Sequence, residues 1–307
     1  MRQHWKKLGN IYNPDNLQKK DSKLISHASN PTPIRINEDI YRIYYSGRDK
    51  YNRSSISAFD YNLKEMKIIK DFNHPLFTYG DKNSYFSHGV TPCCFYNINN
   101  EIYLSFMGWH IPKNKHWEGQ IGRLKLKEDG KLIYEDNKPL ISKSIVDPVS
   151  LSYPYILKKS NHEFLMWYGS TISWDCGNGE MLHIIKGASS KDGLNWEKNN
   201  SNLPYSIGRL QAFSRPTVIK NNDKLEMWFS YRKNKKTKYR IGYAQTYNYR
   251  DWIINNELVG IDISKSGWDN EMICYPFVFN HDGSKYMLYN GNGFGKTGLG
   301  LAVLEKD

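Results

Sequence analysis

Glu271, Asp147 and Asp49 are the three carboxyl-bearing residues whose placement could serve general acid/base chemistry. Such chemistry needs one carboxyl held protonated to donate and one ionised to accept. Glu271 stands before the apolar pair Met272 and Ile273, where burial is expected to raise its pKa. Asp147 opens an Asp-Pro pair, and Asp49 follows Arg48 in YYSGRD. Each is an expected partner for Glu271, and each also reads as an ordinary turn or loop residue. His27 and His88 occupy matching places in SHASNP and SHGVTP, and such a pair could contact ligand hydroxyls, donate a proton or share a metal. No set of three or four ligands at short spacing accompanies them, so neither a metal nor any other cofactor is expected. Arg215, Arg232 and Arg240 offer forked contacts to carboxylate or phosphate. Asn30, Asp175, Tyr231, Tyr275, Asn290 and Asn292 complete the residues expected to touch a ligand.

The chain around these residues is aromatic and basic. Its 307 residues include 23 Tyr, 12 Phe and 9 Trp, too much buriable surface for a disordered chain. No apolar run approaches the ~20 residues that cross a bilayer, so no membrane partner is expected. The start, MRQHWKKLGNIYNPD, has basic residues but no apolar secretory core, so a soluble cytoplasmic protein is expected. The four cysteines include the adjacent Cys93 and Cys94, which alternate to opposite strand faces and read as free thiols. The net charge of +12 favours anionic partners. No nucleic-acid-binding motif accompanies it, so nucleic acid is not an expected partner.

What must position the candidates is a repeat. Pro31, Pro92, Pro154, Pro216 and Pro276 recur at intervals of 61, 62, 62 and 60 residues. Each precedes a short alternating strand, a polar turn and a second strand rich in aromatics. A third strand follows: SSISAFD, QIGRLKL, IIKGASS, YRIGYAQT and GLGLAVL. The period is two within strands, with turns every 8–12 residues. SKDGLNW in the third unit is a hairpin turn by its Asp-Gly pair. GNGFGKTG joins two strands rather than a strand and a helix, so it is not read as a phosphate loop.

Units of ~60 residues with three or four antiparallel strands match propeller blades. The expected fold is all-β: a single five-bladed β-propeller spanning 1–307. Its blades fall at about 27–83, 84–144, 145–206, 207–267 and 268–307. The fifth unit is one strand short. The N-terminal segment 4–12 is expected to supply that strand and close the ring, removing the open edge. A propeller binds its ligand at the mouth of the central channel. The residues just before each proline and just after each second strand are therefore the ones expected there.

This layout resembles the five-bladed propeller glycosidases: the arabinanase/xylosidase families, the invertase/levansucrase families and the mannoside phosphorylases. MWYGS, EMWFSYR, YRIGYA, GWDNEMICYPFVF and YMLYNGNGFGKTGLGLAV are more similar still to a widespread bacterial group labelled glycosylase or glycoside-hydrolase-like. The resemblance covers the chain from about Ser26 onward. It implies a glycoside hydrolase or related glycosyl-processing enzyme, working by paired carboxyls in the central funnel. With the arginines and the charge, a small or oligosaccharide substrate of anionic character is expected, in intracellular sugar metabolism or surface-polysaccharide assembly. In the arabinanase-like and invertase-like families an Asp directly before the first-blade proline acts as base or nucleophile. Asn30 stands there in this chain, and Thr91, Tyr153, Arg215 and Tyr275 stand at the equivalent positions. Two alternatives therefore remain open: a non-catalytic glycan-binding propeller, and phosphorolysis or transfer served by the Arg and His residues.

Overall fold

The computed structural model describes residues 2–16 and 21–305, so the last two positions of the expected fifth unit lie outside the described residues. The described chain is nearly all β. An N-terminal strand, β1 (Trp5–Tyr12), precedes the first proline unit. That unit forms β2 (Ser26–Arg35), β3 (Ile40–Arg48), β4 (Ser54–Asn62) and β5 (Lys67–Asp71). The second forms β6 (Gly89–Ile98), β7 (Glu101–His110), β8 (Glu118–Leu126) and β9 (Leu132–Ile133). The third forms β10 (Ser150–Ser160), β11 (Glu163–Ser173), β12 (Leu182–Ser190) and β13 (Glu197–Asn202). The fourth forms β14 (Gln211–Asn221), β15 (Lys224–Arg232), β16 (Arg240–Thr246) and β17 (Ile253–Ile254). The fifth forms β18 (Cys274–His281), β19 (Ser284–Asn290) and β20 (Leu299–Leu304).

Within each unit, consecutive strands pair antiparallel. A single parallel bridge, Ser54 with Gly89, joins the first two units into one eight-stranded sheet. The fifth unit gains its fourth strand from the other end of the chain: β1 pairs antiparallel with β20, from Trp5 opposite Leu304 to Tyr12 opposite Leu299. The first strands of the units touch in cyclic order: β2 with β6, β6 with β10, β10 with β14, β14 with β18, and β18 with β2.

Alternation explains the core. Inward-facing aromatics of one sheet meet those of the next, so the apolar clusters lie between units. Trp228, Ile241, Val278 and Met287 pack together with Trp5, whose ring meets Trp228 edge-on at 6.0 Å. Asp192 of SKDGLNW holds its turn by accepting the backbone N–H groups of Leu194 and Asn195, each at 2.8 Å. Those bonds, chiefly that of Asn195, hold its carboxyl well below the usual carboxylate range.

Each repeat proline interrupts a ladder, because it has no N–H to give. In four of the five units the break is a bulge in which two residues face one. Asn30 and Pro31 face Tyr45, Tyr153 and Pro154 face Tyr168, Arg215 and Pro216 face Phe229, and Tyr275 and Pro276 face Tyr289. The residue before each of these prolines has a left-handed backbone: φ is 58° at Asn30, 45° at Tyr153, 53° at Arg215 and 54° at Tyr275. A bulky residue adopts that region only under constraint. In the second unit the irregularity falls one residue later, between Pro92 and Cys94. Bulges bend a strand and re-aim its side chains, and these aim toward one place.

Candidate functional site

That place is a cavity of about 330 Å³ whose lining includes Asn30, Thr91, Tyr153 and Tyr275, the residues before four of the five prolines. The fifth, Arg215, lies buried beside it and ties three units together. Its Nη1 donates to Pro92 O at 2.8 Å, and its Nη2 donates to Pro31 O at 2.9 Å and Thr32 Oγ1 at 2.8 Å. The carbonyls it caps are those of the bulges themselves, so Arg215 serves as the floor's structural bolt. Burial lowers its pKa, and the carbonyl acceptors offset that cost.

The cavity has two unlike walls. One is aromatic. The rings of Tyr153 and Tyr275 lie 5.5 Å apart, with Phe294 6.1 Å from Tyr275 and 5.8 Å from Tyr239. Burial pushes the Tyr153 and Tyr275 phenols up, so both stay neutral. The other wall is polar and comes largely from β2 to β4: Ser29, Asn30, Ser46, Arg48, Asn52 and Ser54. Trp109 and Trp117 border it, and the Trp109 indole N–H donates to Ser54 Oγ at 3.0 Å.

Two buried side-chain oxygens in the lining, Asn30 Oδ1 and Ser214 Oγ, have no hydrogen-bond partner. Buried oxygens left unmatched cost stability unless a ligand or water meets them. Asn30 is itself fixed from behind, because Asn290 Oδ1 accepts its backbone N–H at 2.8 Å. His183 also lines the cavity and is 1% exposed. Its Nε2 lies 2.8 Å from Ser152 Oγ and its Nδ1 3.1 Å from Thr171 Oγ1. Burial pushes the imidazole down to about 4, so it is neutral near pH 7.

No Asp or Glu contributes to this lining among the described residues. The carboxyl that meets it is Glu180, 2% exposed, which lies behind Arg232. Arg232 Nε is 2.6 Å from Glu180 Oε2, and Nη2 donates to Oε1 at 2.8 Å. The Met181 N–H donates to Oε1 at 2.9 Å.

The three expected acid/base residues lie elsewhere. Glu271 is exposed, which corrects the expectation that it is buried with Met272 and Ile273. Its backbone N–H donates to Asn292 Oδ1 at 2.9 Å and its carbonyl accepts from Arg240 Nη1 at 3.0 Å. Asp147 is wholly buried in a polar cluster: Lys198 at 2.7 Å, Lys186 at 3.2 Å and the Tyr168 hydroxyl at 3.0 Å. Asp269, at the same register in the fifth unit, is held likewise by Lys7 at 2.6 Å and the Tyr289 hydroxyl at 3.0 Å, so this is a repeated structural device. Asp49 is buried and holds its own turn, accepting the N–H groups of Tyr51 and Arg53 and pairing with Arg53 Nε at 2.8 Å. None of the three lines the cavity.

Of the residues expected to touch a ligand, Asn30, Arg232 and Tyr275 share this lining, and His27, His88, Asp175, Arg215, Tyr231, Asn290 and Asn292 do not. His27 has φ of 64° and contacts Ser26 Oγ at 2.9 Å. His88 accepts the Ile111 N–H at 3.3 Å and lies 6.1 Å from the Trp109 ring. Asp175 is exposed and caps the loop N–H groups of Gly177 and Gly179. Tyr231 packs against Phe229 at 6.2 Å. Asn290 and Asn292 hold backbone around the site rather than facing it. Arg48, Trp117, His183, Tyr239, Phe294 and Glu180 were not anticipated as site residues.

No protein-family model matches the sequence. Two Mycobacterium tuberculosis proteins, uncharacterized protein MT1551 (strain CDC 1551 / Oshkosh) and uncharacterized protein Rv1502 (strain ATCC 25618 / H37Rv), are each 36% identical over 304 residues, 98% of this chain and 99% of theirs. Among solved structures, a glycoside hydrolase superposes with a TM-score of 0.73 at 14% identity, over 100% of this chain and 93% of that one. The endo-arabinase of Bacteroides thetaiotaomicron VPI-5482 gives 0.64 at 14% identity, over 97% and 98%. A structure from the GH130 family of mannoside phosphorylases gives 0.69 at 13% identity, over 99% and 94%. At such identities the likeness is one of fold.

Proposed function

The chain belongs to the family of the mycobacterial proteins MT1551 and Rv1502 and has the fold of the glycosidase-like β-propellers, and from that premise we propose that it is a glycosyl-processing enzyme whose cavity takes a small sugar. One observation carries the reading. The lining joins aromatic rings to hydroxyl, amide and guanidinium groups, and Asn30 Oδ1 and Ser214 Oγ within it are unpartnered. A sugar ring is built the same way, with an apolar face that stacks on aromatics and an edge of hydroxyls that need donors and acceptors. The volume of about 330 Å³ lies at the small end of ligand pockets.

The frame around the cavity is read as five blades closed into a ring. The repeat spacing, the cyclic contacts of the first strands and the pairing of β1 with β20 support that reading. Glu180 does not reach the cavity and is read as the residue that positions Arg232 in its lining. A second reading is sugar binding without turnover. It is favoured by a lining without Asp or Glu among the described residues, and by Asn30 at the position where related propellers carry Asp.

One experiment separates these readings. The full chain is incubated with natural oligosaccharides and nitrophenyl glycosides, with and without phosphate. Products are followed by chromatography, and binding by calorimetry. The enzyme reading expects a bound sugar to be turned over, with Glu180→Gln slowing product formation by roughly 100-fold through the displaced Arg232. Binding that depends on Trp109 without turnover selects the second reading. Failure of every sugar to bind overturns both.

A further inference from the structure

We propose that Arg48 anchors an anionic group, a carboxylate or phosphate carried by the sugar; this rests on the sugar-binding reading and names the class of sugar. Three cations stand in or beside the polar wall, and two are already neutralised. Arg232 pairs with Glu180 at 2.6 Å. Arg53 pairs with Asp49 at 2.8 Å and covers the Tyr79 ring at 4.1 Å. Arg48, the last residue of β3, lines the cavity, and no carboxylate pairs with it among the described residues.

A guanidinium in a half-enclosed cavity without Asp or Glu is a positive charge with weakened hydration. Its most favourable partner is a planar anion that accepts two N–H groups at once. Water screens this charge less than it screens one on the open surface. The surroundings are electropositive too. His27, on the adjoining strand β2, has its pKa pushed down to about 4, first by burial and then by the charges of Arg48 and Lys296, which outweigh the opposing charge of Asp15. The aromatic part of the lining supplies orientation. A ring stacked on Tyr153 and Tyr275 is confined on that side, and its substituents meet the wall that Arg48 and Asn30 share. Asn30 Oδ1 and Ser214 Oγ, unpartnered and buried, are then available to its hydroxyls.

The test titrates the full chain with glucuronate, glucose 6-phosphate, inorganic phosphate and, as the neutral control, glucose. Binding is read from the fluorescence of Trp109 and Trp117, which border the cavity. Lys296→Gln is the comparison, since Lys296 is exposed and outside the lining. At least one anionic sugar is expected to bind about tenfold or more tightly than glucose. Arg48→Gln should abolish that preference while its circular dichroism and melting temperature stay native, and Lys296→Gln should change it less than about twofold. Equal binding of glucose and both anionic sugars overturns the inference and leaves the sugar reading standing. So does an Arg48→Gln variant that keeps the preference. Arg48-dependent binding of inorganic phosphate with no sugar bound keeps the anion site and removes the sugar reading. Phosphate that strengthens glucose binding through Arg48 places the anion on a separate co-ligand and overturns the assignment to the sugar. No saturable binding of any anion to native protein overturns the inference outright.

Discussion

Asn290, at the end of β19, accepts the backbone N–H of Asn30 at 2.8 Å, while its own amide donates to Ala28 O at 2.6 Å and Gly298 O at 3.0 Å. One wholly buried side chain thus joins the first and last units and fixes the bulge that presents Asn30. Asn290→Ala leaves three buried backbone groups unmatched and should cost about 3 kcal/mol or more, read as a lower urea midpoint. Asn290→Asp keeps the acceptor and loses the donors, so its loss should be of similar size. A change within about 0.5 kcal/mol for both would contradict this account.

Asp147 is a stability residue. Asp147→Ala strands Lys186 and Lys198 beside a buried void and should cost roughly 3–5 kcal/mol. The affinity for whichever sugar the binding screen identifies should stay unchanged, provided the assay temperature is below the lowered melting point. Loss of affinity without loss of stability would return Asp147 to the site.

Glu271→Ala should be silent in both respects. The carboxyl is exposed, and its anchoring bonds run through backbone atoms. Stability should stay within about 0.5 kcal/mol of the parent, and turnover of the identified sugar should match it. A loss of turnover at Glu271 would falsify the placement of the site.

Stability should fall in acid in two windows. Folded His183 titrates near about 4 against an ordinary value of 6.5. The unfolded chain therefore binds the extra proton, and stability declines as pH drops from 6.5 towards 4, by about 3 kcal/mol for this one group. Asp147 is depressed below its ordinary value of 3.8: burial opposes ionisation, but the bond from Lys198 and the charges of Lys186 and Lys198 outweigh it. Its contribution is present above that value and is lost as pH falls through the lower folded one. Urea midpoints measured from pH 8 to 3 check both windows. His183→Gln should shrink the first window to the part that His27, also pushed down to about 4, contributes, and leave the second.

The repeat made much of the frame legible. A proline every ~61 residues marks where a ladder must break, and the breaks fall beside Asn30, Tyr153, Arg215 and Tyr275. Arg232 could be named because it ends a second strand. Arg48 lies 17 residues after Pro31, the same register as Trp109 after Pro92, so aligning the units on their second strands would have found it. Trp117, Tyr239, Phe294 and Glu180 come from connections between second and third strands, or from their margins. Those connections run from five to eight residues and share no sequence pattern, so the repeat does not single these residues out. Glu271 misled because its neighbours Met272 and Ile273 are buried. It sits in a turn ahead of β18, where one residue's burial says little about the next.

The pairing of Trp5 with Leu304 has a consequence for the order of events during synthesis. β1 is made before the five units, and its partner β20 is the last strand of the fifth. Until then Trp5 and Tyr12, both buried in the finished protein, have no strand to join. The nascent chain thus carries an unpaired apolar segment while all five units are made, and the pairing of β1 with β20 is the slow, long-range step that topology predicts. A chaperone that shields the first dozen residues would act on the segment with the longest wait.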